Sequence, residues 1–238
     1  DLIYHVGMVL KQLGRFDDVK AMLTTAKAVM PDNEHVSSAV AYLRVLGGFG
    51  LNTPELEIDD LVILRPVNRR VLPEVTEAYR EDPESARAAL PWLKEGEEAR
   101  RQIADLMFEL EMQKENKAIH FWIIHSLKDN SFVGLIGLGD ELQLAASAYN
   151  LGYWVRTSWR KKGIANRCVD AIFSWLSENT VQALVEITVH PHNESGLAAC
   201  KSIVDRWGGM AIEGYVGIEC NGRTVPHVLH LVQLDRGD

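Results

Sequence analysis

The stretch Tyr149–Leu176, YNLGYWVRTSWRKKGIANRCVDAIFSWL, decides how this chain is read. It begins as an apolar strand, passes through a short basic turn with one glycine, and continues as a helix. The helix is marked by Cys168, Val169, Ile172, Phe173 and Leu176 recurring at helical spacing. In the turn Arg160-Lys161-Lys162-Gly163-Ile164-Ala165, three cations stand ahead of a helix N-terminus, where unpaired N–H groups and the macrodipole favour negative charge. Gly163 permits a positive φ or close approach of the backbone to a ligand, and Ala165 keeps a nearby position small. With Arg156 and Arg167 close by, the segment is basic inside a chain of formal net charge −8. Such a local reversal points to an anionic ligand and away from general affinity for nucleic acid. A solvated basic helix start is the competing reading of the turn taken alone.

The 238 residues allow one large domain or two small ones, with 47% hydrophobic and 24% charged residues. No apolar run approaches the roughly 18 residues of a membrane span, and no charged-then-apolar segment opens the chain, so a cytoplasmic protein without membrane contact is expected. Cys168, Cys200 and Cys220 form no Cys-x-x-Cys pair, which supports neither a disulfide framework nor a zinc site. His190 and His192 flank Pro191 but lack a third ligand in register, so no metal is expected.

Tyr4 to Asn33 reads as a helical hairpin, broken at Gly14-Arg15-Phe16-Asp17 and stopped at Pro31-Asp32-Asn33. Gly7, Gly14, Phe16, Ala26 and Pro31 fall close to a tetratricopeptide pattern over about one repeat. Val36 to Leu46 would start a second repeat, which Gly47-Gly48-Phe49-Gly50 ends early. A single repeat cannot bury its own faces, so this piece is expected to pack on the following domain, to pair with a second copy, or to be the tail of a longer array; a groove for a protein partner is the functional reading and a packing appendage the competing one. The expected division is residues 1–50 as the helical segment and 57–238 as the catalytic-looking domain.

In that second part, Asp60–Pro66 reads as a strand, Val71–Tyr79 and Pro83–Leu90 as short helices, and Glu97–Lys114 as a long amphipathic helix. Ala118–Ser126 and Phe132–Leu138 bracket a turn at Lys128-Asp129-Asn130, and Asn150–Arg156 follows as the central strand. Ala183–Val189 is a buried strand ending at His190-Pro191-His192-Asn193-Glu194-Ser195. A helix marked by Leu197, Cys200, Ile203, Val204 and Trp207 comes next, and Gly208-Gly209 stops it. A closing hairpin of Ala211–Glu219 and Val225–Leu234 turns at Asn221-Gly222.

The basic turn resembles the pyrophosphate loop of the GNAT acetyltransferase superfamily, Gln/Arg-x-x-Gly-x-Gly/Ala, at Arg160, Gly163 and Ala165. Gly152-Tyr153-Trp154-Val155 is similar to the central strand of the ribosomal-protein N-acetyltransferases. Arg65-Pro66 and Pro91-Trp92-Leu93 also match that group. The resemblance spans the chain from about Leu61 onward. It implies an α+β fold with a mixed, mostly antiparallel sheet flanked by helices, and a small all-α segment in front. It also implies a splay between the central strand and the next.

By the same resemblance the cofactor is acetyl-CoA. Backbone groups around Val155 and Arg156 would hold the acetyl and pantetheine end, Arg160, Lys161, Lys162, Gly163, Ile164 and Ala165 would wrap the pyrophosphate, and Asn193 would meet the pantetheine arm. Acetyl transfer to an amine needs orientation, a donor to the developing oxyanion, and a route for the amine proton. Glu219, in Glu219-Cys220-Asn221-Gly222, is the first candidate base, and Glu186, inside a buried strand, the second. Ser195 is carried as a further catalytic candidate, although it stands one residue early for the family's Asn-x-x-Ser. The tyrosine that many members place on the helix after Asn193 does not occur between Leu197 and Gly209.

The expected function is transfer of acetyl from acetyl-CoA to a primary amine, with a protein N-terminus first in order. A polyamine or aminoglycoside acceptor is the alternative, and a degenerate acetyl-CoA-binding interaction protein a third. Aminoacyl-tRNA fits the acidic balance poorly. A phosphate-loop nucleotidase is set aside because Gly-x-x-x-x-Gly-Lys-Ser/Thr does not occur.

Overall fold

A computed structural model describes residues 2–12, 15–36, 51–90, 93–115, 119–139, 144, 149–180, 182–220 and 222–235. Helices α1 (Leu2–Gln12) and α2 (Phe16–Val29) pack Val19 and Leu23 against Ile3, Leu10 and Met22. Asn33 then accepts backbone hydrogen bonds from His35 (3.0 Å) and Val36 (3.2 Å), the cap of a further helical start. Residues 37–46 of the expected third helix, residues 47–50 of the expected linker, Pro91-Trp92 and Asn221 lie outside the described residues.

The elements that follow are β1 (Leu56–Glu57), β2 (Val62–Pro66), α3 (Leu72–Glu81), α4 (Pro83–Ala89) and α5 (Glu97–Glu115). Next come β3 (His120–Ser126), β4 (Phe132–Gly139), β5 (Tyr149–Val155), α6 (Ile164–Asn179), β6 (Gln182–Val189) and α7 (Glu194–Trp207). The chain closes with β7 (Met210–Ala211), β8 (Val216–Cys220) and β9 (Arg223–Asp235). Among the described residues these strands form one sheet in the order β1-β2-β3-β4-β5-β6-β9-β7, with β8 on the free half of β9. The β5–β6 pair is parallel and the other pairs are antiparallel.

Strand alternation sends side chains to two separate cores. On one face, Trp122, Leu151, Val185 and Val232 meet Cys168, Ile172 and Phe173 of α6 and Cys200 and Ile203 of α7. On the other, Ile123, Leu135 and Trp154 meet Val75 and Tyr79 of α3 and Ile103, Met107 and Leu110 of α5. The sheet is therefore the middle of three layers, and burial of both faces explains the near-continuous apolar runs of β3, β4 and β6.

The expected single strand 211–219 is instead two, β7 and β8. The break falls at Glu213-Gly214, where Gly214 has φ +90°. β9 is long enough to pair with β6 from Val228 to Asp235 and with β8 from Arg223 to His227, so it reaches past the end of β6.

Candidate active site

β5 and β6 are paired at Tyr149↔Val185 and Asn150↔Glu186 only. Beyond that point β5 stays on β4 as far as Gly134↔Val155, and β6 stays on β9 as far as Val189↔Val228. Each strand keeps its outer neighbour and leaves its inner one, so the two part in a V. Arg156 donates its N–H to Val133 O of the neighbouring strand (2.8 Å). By strand alternation the N–H groups of Tyr153 and Val155 face the opposite way, into the V. This corrects one expectation: the Arg156 N–H is spent on the sheet, and the strand's outward-facing N–H groups belong to Tyr153 and Val155.

The basic turn follows β5. Gly163, at φ +70°, is the N-cap of α6 and supplies no capping side chain, and Arg167 makes the first intrahelical bond back to Gly163 O (3.2 Å). The N–H groups of Ile164, Ala165 and Asn166 therefore open the helix without an intrahelical acceptor. Ile164 is buried and anchors that end to the core. Lys161 also has positive φ (60°), so the turn is a tight concave loop of backbone donors, a form that suits anions.

The cations divide into two sets. Arg156 forms a two-pronged pair with Glu81, with its Nε 2.7 Å from Oε2. Arg160 donates Nε to Val155 O (2.8 Å) and stands 3.8 Å from Asp82. Arg167 holds Asp59 at 2.6 Å and donates to Lys162 O at 2.7 Å, so it shapes the loop from behind. Lys161 carries the exposed charge at the tip, and Lys162 sits over the Trp159 ring, 4.5 Å from its centroid. Arg156 and Arg167, counted from sequence as extra charge for an anion, are thus committed to carboxylates.

Those carboxylates respond in kind. The Arg156 guanidinium holds Glu81 below the usual carboxylate range, and the Thr157 hydroxyl and Ser85 N–H do the same for Asp82. Burial pushes Asp59 up, but the N–H groups of Leu61 and Val62 together with Arg167 outweigh it and leave it lowered.

Behind the V lies a cavity of about 430 Å³. Its floor is Asn150–Trp154, its sides are Ile187–His190 and α5 residues Leu106, Glu109 and Leu110, and Ile218–Cys220 with His227 form the far wall. Asn193 reaches it as well, with Oδ1 accepting from Gly196 N–H (3.0 Å) and the Ser195 hydroxyl (3.1 Å). That oxygen caps α7, which leaves the Asn193 amide nitrogen as the donor toward a ligand. Glu219 stands exposed on the cavity wall and accepts from the Thr224 hydroxyl. Glu186 is fully buried beside Asn150, and the wall begins one residue later at Ile187. Ser195 lies off the wall.

Three wall residues were not singled out from sequence. Tyr153 lines the cavity, and burial, aided by Cys200 of α7, pushes its phenol up, so it stays protonated. Glu109 adds a carboxylate from α5. His227 comes from β9 and packs edge-on against His190, with ring centroids 5.6 Å apart. The repeated His-Pro and Pro-His pairs at 190–192 and 226–227 were the available signal, but nothing local says that the two meet.

Residues 62–203 match the model of the acetyltransferase (GNAT) domain family, more than half of the chain. No curated protein matches the chain in sequence. Among solved structures, the RimL ribosomal L7/L12 alpha-N-protein acetyltransferase in complex with coenzyme A is similar at TM-score 0.62 and 12% identity, over 77% of this chain and 100% of that one. The acetyl transferase of Salmonella typhimurium that modifies the N-terminal serine of ribosomal protein L7/L12 gives 0.59 and 12%, over 76% and 98%. The ribosomal-protein-S5-alanine acetyltransferase of Vibrio fischeri gives 0.59 and 15%, over 76% and 97%. At these identities the likeness is one of fold. The family match and the parted strands agree: the chain belongs to the GNAT acetyltransferase family and is an acetyl-CoA-dependent acetyltransferase.

Proposed function

We propose that the chain acetylates the α-amino group of a protein. The observation that carries this reading is the V between β5 and β6, which opens backbone donors onto a cavity with room for both a thioester and an amine. Acetyl-CoA supplies an activated acetyl group when bound. The concave turn Arg160–Ala165 and the first N–H groups of α6 offer donors of the kind a diphosphate needs, with Lys161 and Lys162 adding charge. The N–H groups of Val155 and Tyr153 and the Asn193 amide are the donors along the arm. An N–H aimed into the V also meets the thioester carbonyl oxygen as charge develops there.

Glu219 and Glu109 draw the ammonium form of the acceptor to the wall, and Leu106, Leu110 and Ile187 give its first side chain an apolar surface. Tyr153, held protonated, donates to the departing sulfur from the α7 side of the sheet, the role that the resemblance gives to a helix tyrosine this chain lacks. Glu186, sealed behind the wall, does not touch the acceptor. Two of the similar structures named above are acetyltransferases of the N-terminus of ribosomal protein L7/L12, which favours a peptide acceptor. We assign this chemistry to a unit of residues 57–238, with residues 1–50 as an appended segment whose described helix α1 exposes Leu2, Val6 and Val9. No described helix is long and apolar enough to cross a membrane, and we place the enzyme in the cytoplasm.

The test is labelled acetyl-CoA with short peptides starting in Ser, Ala or Met, compared with spermidine and an aminoglycoside, read by intact mass. Acetylation at the peptide α-amine is expected. Turnover of the small amines alone would replace the acceptor and keep the donor.

A further inference from the structure

We infer that Nε2 of His227 is the base that takes the proton from the attacking amine; this rests on the acetyl-transfer reading above. His227 is buried, lies on the cavity wall, and is fixed in the sheet by pairing with Val216. Its Nδ1 is 3.1 Å from Val225 O. A carbonyl oxygen only accepts, so Nδ1 carries the proton and Nε2 keeps its lone pair. His190 is fixed the opposite way. The His192 N–H donates to its Nδ1 at 3.2 Å, so neutral His190 carries its proton on Nε2.

The two rings, perpendicular at 86°, are therefore unlike in function: one presents a donor and the other an acceptor. Burial, then the neighbouring His227 and His192, pushes His190 down, which keeps it neutral beside a ring that must gain charge. Neither candidate carboxylate competes well. Glu219 is exposed and already takes the Thr224 hydroxyl, and Glu186 is behind the wall.

The step balances without another reactant. The ammonium drawn to the wall first gives one proton to solvent and becomes the free amine; as its nitrogen then bonds to the acetyl carbon, a second proton passes to Nε2 of His227, and the carbon–sulfur bond breaks with the electron pair on sulfur. Tyr153 gives its proton to the sulfur and takes one back from solvent, and the imidazolium returns its proton to solvent. An amine, a thioester and one transferred proton give an amide and a thiol.

Two readouts test the assignment. Long-range ¹H–¹⁵N spectra of histidine-labelled protein without ligand should show His227 protonated at Nδ1 and bare at Nε2. Kinetics should then compare wild type with His227→Asn, whose amide nitrogen can still donate to Val225 O, using the peptide turned over fastest in the panel above. Its kcat/KM should fall about 10²- to 10³-fold, with coenzyme A binding and thermal stability unchanged. The ascending limb of the pH profile should vanish in the variant, although His190, His192, Cys220, Glu219 and Glu109 remain around the cavity. His227→Gln serves if the Asn variant fails to fold. An Nε2–H tautomer, or a folded variant within threefold of wild type with its limb intact, overturns the proposal. Failure of wild type to bind coenzyme A would overturn the acetyl-transfer reading itself, so the two failures are distinct.

Discussion

Asn150 and Glu186 are the last residues at which β5 and β6 are paired, and the functional geometry begins where that pairing stops. Asn150 is on the cavity floor while Glu186 is sealed behind it, so the same register position separates solvent from core. A strand pair that parts early is held open by its outer partners, β4 and β9, which continue for several residues more.

That arrangement depends on close backbone approach between β4 and β5. A Cβ on Gly134 would overlap Trp154 O, whereas one on Gly152 meets nothing within 4 Å. Gly134→Ala should destabilise by about 2 kcal/mol or more, and Gly152→Ala should be within about 1 kcal/mol of wild type. Urea denaturation of both variants checks the contrast. Equal stabilities would mean that the two strands are not packed as described.

The ion pairs behind the turn should make the fold acid-sensitive. Asp59, Glu81 and Asp82 are each held below their ordinary values. A depressed carboxylate adds stability above its unfolded pKa and loses it as pH falls through its folded value. The urea midpoint should therefore drop between about pH 5 and pH 3, and Glu81→Gln with Asp59→Asn should flatten the drop. The Arg156–Glu81 pair is partly exposed, so a double-mutant cycle should return a coupling of about 1 kcal/mol.

Much of this was legible in the chain and some was not, for identifiable reasons. The order of strand, basic turn and helix at 149–176 could be read because both periodicities and the glycine are local. Arg156 and Arg167 were misjudged because their partners, Glu81 and Asp59, lie 75 and 108 residues away. The V is a relation between two strands and their outer neighbours, and no residue within β5 encodes it. His227 was missed because a histidine in a strand near the closing turn has no local mark of burial. The split of β7 from β8 hangs on Gly214, the one of the run's two glycines that takes a positive φ.

Tyr153→Phe removes the proposed proton donor without changing the shape of the wall. We expect kcat to fall about 10²-fold with coenzyme A affinity within twofold of wild type. Stopped-flow measurement of thiol release checks this, and an unchanged rate would assign sulfur protonation to solvent.

Glu219→Gln keeps the size of the side chain and removes its charge from the cavity wall. KM for a cationic acceptor should rise about tenfold, with kcat within twofold, because the interaction acts on binding more than on the chemical step. A fall in kcat of about a hundredfold at constant KM would instead make Glu219 the base.

The most direct test of the account is calorimetric titration of coenzyme A into wild type and Gly163→Trp. Gly163 has φ +70°, and a Cβ there would stand 3.1 Å from the Arg167 guanidinium, so the indole ring blocks backbone approach at the turn. Saturable binding by wild type and its loss in a folded variant are predicted. Equal binding by both proteins would contradict the placement of the diphosphate at Arg160–Ala165.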